Sequence, residues 1–249
     1  MPQRFPIRAG LAAALLVILS ACTSPEVTSG INDPYEAANR KNHERNRKID
    51  RNFLRPVAYA YGENVPQPIR NGVRNFAGNL SVPGDIVNNI LQFRLDDAIH
   101  NSVRFMVNTT IGIGGVLDPG TAIGLDARDT DFGETLYVWG VGEGPYRELP
   151  AMGPSTTRDA VGKGVDMFLN PLGHVVRKPE RYALPVTRVV AGLGERYRFG
   201  ATLDSVLYDS ADSYAQTRLL YLENRRFQLQ HGLEQNNEGL YDLYEETYE

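Results

Sequence analysis

Val65-Pro66-Gln67-Pro68-Ile69-Arg70-Asn71-Gly72-Val73-Arg74-Asn75-Phe76-Ala77-Gly78-Asn79-Leu80 decides the fold. Its two prolines force an extended turn, because the residue before a proline is pushed out of the helical region. Ile69, Val73, Phe76 and Leu80 then recur at helical spacing. Just downstream, Ser81-Val82-Pro83 reads as a fresh helix start, with Ile86/Ile90 and Val87/Leu91 as i, i+4 pairs. Asp96 or Asp97 is placed to cap another helix carrying Ile99, Val103, Phe105, Met106 and Thr110. Its apolar arc is wide, which suits either a core or a lipid-facing helix. The expected class is therefore mainly α. Glycine and proline together make up 39 of 249 residues, so the helices should be short and often bent.

Working outward, Asp33 is a candidate N-cap with Pro34 behind it. Tyr35 to Leu54 is helix-like but crowded with charge, and Arg55-Pro56 should end or kink it. Residues 111–116 form a flexible apolar turn. Phe132 to Gly144 reads as a short hairpin or a glycine-hinged loop, and Ser155 as the N-cap of the next helix. Val165 to Leu184 should be fragments broken at Pro171, Pro179 and Pro185. A short helix follows over Val186–Leu193 and stops at Gly194, and Leu203 to Leu229 is helical again. Residues 233–249 carry six acidic side chains and no basic one, which predicts a frayed, flexible acidic tail.

The N-terminus has the three parts of a secretory signal: Arg4 and Arg8, the apolar run Leu11 to Leu19, and the small residues Ser20 and Ala21. The apolar run is too short to span a bilayer. Cys22, the single cysteine, follows at once. Small residues before a cysteine resemble the lipobox of bacterial lipoproteins, in which that thiol is acylated after cleavage. Two or three acyl chains give a firm anchor where one is marginal. Thr23, not Asp, follows Cys22, and by the same resemblance this directs the chain to the outer membrane. The expected organisation is signal peptide 1–21, lipidated tether 22–31, helical domain 32–232 and tail 233–249.

Without Arg4 and Arg8 the chain keeps 24 basic against 30 acidic residues, a net charge of about −6 that argues against a nucleic-acid partner. One cysteine allows neither an internal disulfide nor a thiolate zinc site. His43, His100, His174 and His231 are far apart and read as structural or surface residues. Asp126, Asp129, Asp131 and Glu134 miss the spacing of an EF-hand loop and read as a solvated loop. No Gly-x-Ser-x-Gly elbow, phosphate loop or dinucleotide fingerprint is present. No enzyme, cofactor or metal is expected.

A set of short motifs, in order, resembles the MlaA/VacJ family of outer-membrane lipoproteins. They include Asn32-Asp33-Pro34-Tyr35-Glu36 with Asn39-Arg40, Val65-Pro66-Gln67-Pro68, Asn75-Phe76-Ala77-Gly78-Asn79-Leu80 and Gly112-Ile113-Gly114-Gly115. Asp131-Phe132-Gly133-Glu134-Thr135-Leu136, Gly140-Val141-Gly142-Glu143-Gly144 and Arg225-Arg226 follow. The resemblance implies a ring-like assembly of short amphipathic helices in the inner leaflet of the outer membrane, on its periplasmic side. Through it, misplaced outer-leaflet phospholipid would pass to a soluble periplasmic carrier and on to an inner-membrane ABC transporter, with a trimeric porin as partner. It also implies a glycine-hinged hairpin controlling the channel, mapped here to Gly140, Gly142 and Gly144. The matching positions Asn39, Arg40, Pro66, Asn75, Phe76, Asn79, Gly112, Gly114 and Gly115 are its other marked residues, with roles that packing alone would also explain. The first helix departs from the family pattern, with Ala38 and a charged stretch in place of apolar residues, so it is expected to rest at the headgroup level. The alternative is a structural or adaptor lipoprotein that binds porin and moves no lipid.

Overall fold

The computed structural model describes residues 30–175 and 183–245, with side chains from 30–173 and 184–230. The signal segment, Cys22, most of the tether, Pro179 and the last four residues lie outside the described residues.

The chain is mainly helical, with one small hairpin. In order it forms α1 (Glu36–Ile49), a π-helical turn (Asp50–Leu54), α2 (Arg55–Asn64), α3 (Gln67–Leu91), α4 (Leu95–Thr110), α5 (Pro119–Ala122) and α6 (Phe132–Val138). There follow β1 (Tyr146–Leu149), β2 (Gly153–Thr156), α7 (Thr157–Leu169), α8 (Leu172–Val175), α9 (Ala183–Arg198), α10 (Gly200–Asp204), a second π turn (Ser205–Asp209) and α11 (Ser213–Glu245). The strands are antiparallel, with Tyr146 opposite Thr156 and Leu149 opposite Gly153.

Several expected breaks do not occur. The chain does not restart at Ser81-Val82-Pro83, because α3 runs through a buried Pro83. A mid-helix proline removes one hydrogen bond and crowds the carbonyl four residues back. Here side chains bond the neighbouring carbonyls: Ser81 Oγ donates to Gly78 O (2.7 Å) and Asn170 Nδ2 to Leu80 O (2.7 Å). Nor does Arg55-Pro56 end the first helix. The wider π turn, closed by Arg55 N–H on Asp50 O, carries the chain into α2 with Pro56 in its first turn, where a missing N–H matters least. Helix α9 passes Gly194 to Arg198, and α11 passes residue 232 to Glu245, so the boundary expected at 232 is not a break in secondary structure.

Caps also moved. Asp33 does not cap α1; its carboxylate binds Asn39, Tyr214 and Arg218 instead. Thr156, one residue after Ser155, caps α7 by accepting from Asp159 N–H (3.2 Å). The hairpin falls at 146–156, after the stretch 132–144. That stretch is α6, capped by Asp131, followed by a glycine-rich connection.

Among the described residues, Pro83 and eight other apolar side chains are buried, against twenty polar or charged ones. The apolar core is a small aromatic cluster of Tyr146, Tyr214 and Leu222, with Tyr221 against it. Helix α11 ties the rest together. Tyr214 and Arg218 hold Asp33, Tyr221 Oη donates to Asp159 (2.7 Å), and Arg225 binds Asp131 (2.7 Å).

Candidate functional site

Helix α4 shows the principle of the molecule. Leu95, Ile99, Val103 and Met106, spaced i, i+4, i+8, i+11, are all exposed, while Ala98, Asn101, Arg104 and Asn108 on the opposite face are buried. A water-soluble helix has the reverse arrangement. The inward face is fully bonded. Asn101 Nδ2 donates to Arg128 O (2.8 Å), Arg104 Nη2 to Asp118 Oδ2 (2.8 Å), and Asn108 Nδ2 to Asp118 Oδ1 (2.9 Å). Asn108 Oδ1 in turn accepts from Gly120 N–H (2.9 Å). Asp118 sits below the usual carboxylate range. Burial pushes it up, but hydrogen bonds from Thr121, Arg104 and Asn108 outweigh that.

Two turns extend this apolar exterior. Phe93 is 86% exposed at φ +61°, and Ile113 is 71% exposed at φ +54°. A β-branched isoleucine in the left-handed region is strained, and such strain persists only where the surroundings impose it. Gly112, Gly114 and Gly115 impose it here. Cβ atoms on Gly112 and Gly115 would lie 2.4 Å from Asn108 O and Asn79 Cβ, and Gly114 and Gly115 have φ of +71° and +95°. Asn79 Nδ2 donates to Thr109 Oγ1 (3.0 Å) and Gly114 O (3.2 Å), and Asn75 Nδ2 to Val116 O (3.3 Å). Asn75, Phe76, Asn79, Gly112, Gly114 and Gly115 thus meet at one turn and present Ile111, Ile113 and Val116 outward.

Beside that turn lies an apolar cleft of about 560 Å³ between α3 and α9, lined by Ile69, Val73, Phe76, Val116, Val186 and Val190. Across α3, near its C-terminal end, is a polar cavity of about 920 Å³ between the start of α4, the 124–131 loop and α11. Its walls include Asn89, Arg94, Asp129 and Glu134. Behind these walls Asn88 Nδ2 donates to Asp166 (3.0 Å), Thr135 donates to Asn88 Oδ1 (3.0 Å), and Gln92 Nε2 donates to Thr135 (2.9 Å). Asp85 is buried among carboxylates. Burial first, then the charges of Asp129 and Asp166, pushes it up to about 8. Asp159 goes the other way, since Arg225, Tyr221 and Arg158 outweigh its burial and hold it low.

The other marked positions lie apart. Asn39 joins α1 to the hairpin, donating to Asp33 Oδ1 (2.8 Å) and Tyr146 O (3.1 Å) and accepting from Glu148 N–H (3.0 Å). Arg40 forks onto both oxygens of Asp212 (3.0 and 2.8 Å) at the start of α11. Pro66 begins α3. Gly140 and Gly144 have φ of +84° and +67°, and both they and Gly142 lie in the connection between α6 and β1, not inside the hairpin. Glu143 is gripped by Arg226 (2.7 and 3.1 Å). His43 is buried against Ser213 (3.0 Å), and His100 binds Asp126 O (2.8 Å) on the wall of the polar cavity; the side chains of His174 and His231 lie outside the described residues. Among the described residues no group of His, Cys, Asp or Glu could hold a metal, and no helix is long and apolar enough to cross a membrane.

A profile of the MlaA lipoprotein family matches residues 31–228. The chain belongs to the MlaA lipoprotein family. It is 33% identical over 222 residues to the intermembrane phospholipid transport system lipoprotein MlaA of Escherichia coli K12, covering 87% of this chain and 86% of that one. The MlaA of Haemophilus influenzae is 31% identical over 235 residues, covering 91% and 92%. A Rickettsia bellii protein is 36% identical over 200 residues, covering 80% and 77%. A solved structure described as the structural basis for maintenance of bacterial outer membrane lipid asymmetry superposes with a TM-score of 0.68 at 34% identity, covering 79% of this chain and 98% of that one. In this chain, sequence reasoning found the family motifs but missed the site's polar interior. Asn88, Asn89, Gln92, Arg94 and Asn101 face inward without resembling a motif; the signal for them was an asparagine or arginine on the side of each helix opposite its apolar stripe.

Proposed function

We propose that this MlaA-family chain is an outer-membrane lipoprotein that removes mislocalised phospholipid from the outer leaflet and passes it across the periplasm toward the inner membrane, so keeping the outer membrane asymmetric. The observation that carries this is the inverted burial: an apolar exterior on α3, α4 and the two strained turns around a bonded polar interior. That arrangement is stable against acyl chains and offers headgroups a polar route. The apolar cleft beside the Gly112–Gly115 turn suits an acyl chain. Cys22 carries the anchor on the periplasmic side of the membrane. The helices enclose the route as a ring, and the Gly140–Gly144 connection acts as its hinge, latched by Arg226 on Glu143. A trimeric porin supports the chain in the membrane, and a soluble periplasmic carrier linked to an ABC transporter receives the lipid. The chain performs no covalent chemistry.

The test is phospholipid on the surface of cells lacking this protein, complemented with wild type or Cys22→Ser. Surface phospholipid should rise on deletion and fall only with the acylatable form. No rise, with porin association intact, would leave an adaptor.

A further inference from the structure

We propose that the polar cavity between the 92–94 turn, the 124–131 loop and α11 is a binding site for the zwitterionic phosphoethanolamine headgroup of a phospholipid. This rests on the transport reading above and specifies the lipid it takes.

The cavity offers both halves of a zwitterion site. Asn89 is 1% and Arg94 8% exposed, and each keeps a buried N–H group with no hydrogen-bond partner, Asn89 Nδ2 and Arg94 Nη2. A buried donor without an acceptor costs about 1–3 kcal/mol, so two of them on the wall of one cavity call for an anionic ligand atom. A phosphodiester supplies it. The charges around them then decide what the rest of the ligand carries. Arg94 pairs with Glu134 (2.5 Å), Arg128 with Asp97 (2.5 Å) and Arg225 with Asp131 (2.7 Å). Beyond these pairs the lining holds Asp126 and Asp129, neither with a cationic partner among the described residues, and Asp96 only 3.8 Å from the already occupied Arg128. The excess is negative. A zwitterion adds no net charge to that excess, and its ammonium can pair with one of the free carboxylates; an uncharged glycerol headgroup leaves the lipid's net negative charge against them.

A lipid, not a soluble phosphodiester, fits the surroundings. Phe93, between the inward Gln92 and Arg94, points outward, and Ile90, Leu95 and Ile99 continue the exposed apolar surface beside the cavity. A headgroup in the cavity has its chains delivered to that surface.

The full-length acylated protein is incubated in detergent micelles holding equimolar phosphatidylethanolamine and phosphatidylglycerol, and the lipids retained after gel filtration are measured by mass spectrometry. Retention should favour phosphatidylethanolamine by roughly tenfold, and Asp126→Asn with Asp129→Asn, two exposed loop changes, should cut the preference to about twofold. Equal retention of the two lipids, or a preference the double variant leaves unchanged, overturns the proposal. Retention of soluble glycerophosphoethanolamine as strongly as the lipid overturns the lipid assignment. No retained phospholipid at all overturns it too, while the transport reading stands or falls separately on the surface phospholipid of the deletion strain.

Discussion

Adding one methyl group at three glycines separates what the turns need for shape from what they need for motion. At Gly115, alanine meets φ +95° and a Cβ 2.4 Å from Asn79 Cβ. The left-handed conformation costs an alanine about 1–2 kcal/mol, and the overlap about 1–3 kcal/mol more. Moving Asn79 aside also loosens its bonds to Thr109 and Gly114, each worth about 1 kcal/mol. Gly115→Ala should therefore lose about 4 kcal/mol, and at about 3 °C per kcal/mol for a domain of this size the melting point should fall by roughly 12 °C. Gly140→Ala meets φ +84° with nothing within 4 Å, so only the conformational cost of about 1–2 kcal/mol applies. At Gly142 there is neither a positive φ nor a near atom, and alanine should stay within about 0.5 kcal/mol of wild type. Thermal melts of the three variants in micelles, read by circular dichroism, give the order directly. If Gly142→Ala destabilises as much as Gly115→Ala, the steric reasoning is wrong. If it is stable, glycine at 142 has no static purpose, and Gly142→Pro should then raise surface phospholipid in cells without lowering the melting point. A proline variant that transports normally would sink the hinge.

Arg196 joins both oxygens of Asp50 (2.8 Å each) to Asp204 (2.6 Å) between the two π turns, so Arg196→Met should cost about 3 kcal/mol by melting, by taking from the buried Asp50 the guanidinium that binds it, while Asp204 keeps Arg55. Phe93→Asp replaces the most exposed aromatic on the apolar surface; vesicle flotation of a non-acylated form should show binding weakened by about 2–3 kcal/mol, with the melting point in micelles almost unchanged. Stability should also depend on pH in two directions. Asp85 is raised to about 8 in the fold, so its contribution is complete below the unfolded value of 3.8 and drains away as pH climbs toward 8; Asp85→Asn should flatten that decline. Asp33, Asp50, Asp118 and Asp159 are held low, so their contribution is present above 3.8 and lost as pH falls through their folded values, which a melt series from pH 3 to 9 would reveal as a separate acid limb.

Helical character was readable wherever apolar residues kept a period, as on α3 and α4. The motifs at Gly112–Gly115 and Gly140–Gly144 were readable because they fall in turns, where glycine geometry leaves little choice. Three features were not. Pro83 reads locally as a break, and Asn170, ninety residues on from the Leu80 carbonyl it binds, helps make it tolerable. Asp33 has every local property of a cap, yet Tyr214 and Arg218 claim it from the far end of the chain. The hairpin at 146–156 shows no strong alternation; its edge is held by Asn39 and Asn46 of α1, contacts that span more than a hundred residues. Each miss is a long-range partner overriding a local preference.

The choice of asparagine for the interior follows from the same inversion. Asn39, Asn79, Asn88, Asn89, Asn101 and Asn108 are all buried. A scaffold whose apolar side chains face outward has to close on itself through polar contacts, and every buried polar group must find a partner. A carboxylate or guanidinium makes stronger bonds but brings a charge that is expensive to desolvate. The carboxamide supplies donors and an acceptor with no net charge, so Asn39 and Asn108 can each donate and accept across two elements at once. Charge is then kept for places where it is paired, as at Arg104–Asp118 and Arg225–Asp131. Several buried polar atoms nonetheless keep no partner, and three of them, Asn89 Nδ2, Arg94 Nη2 and Arg225 Nε, belong to residues that line one cavity, so it is there that a ligand has bonds left to make.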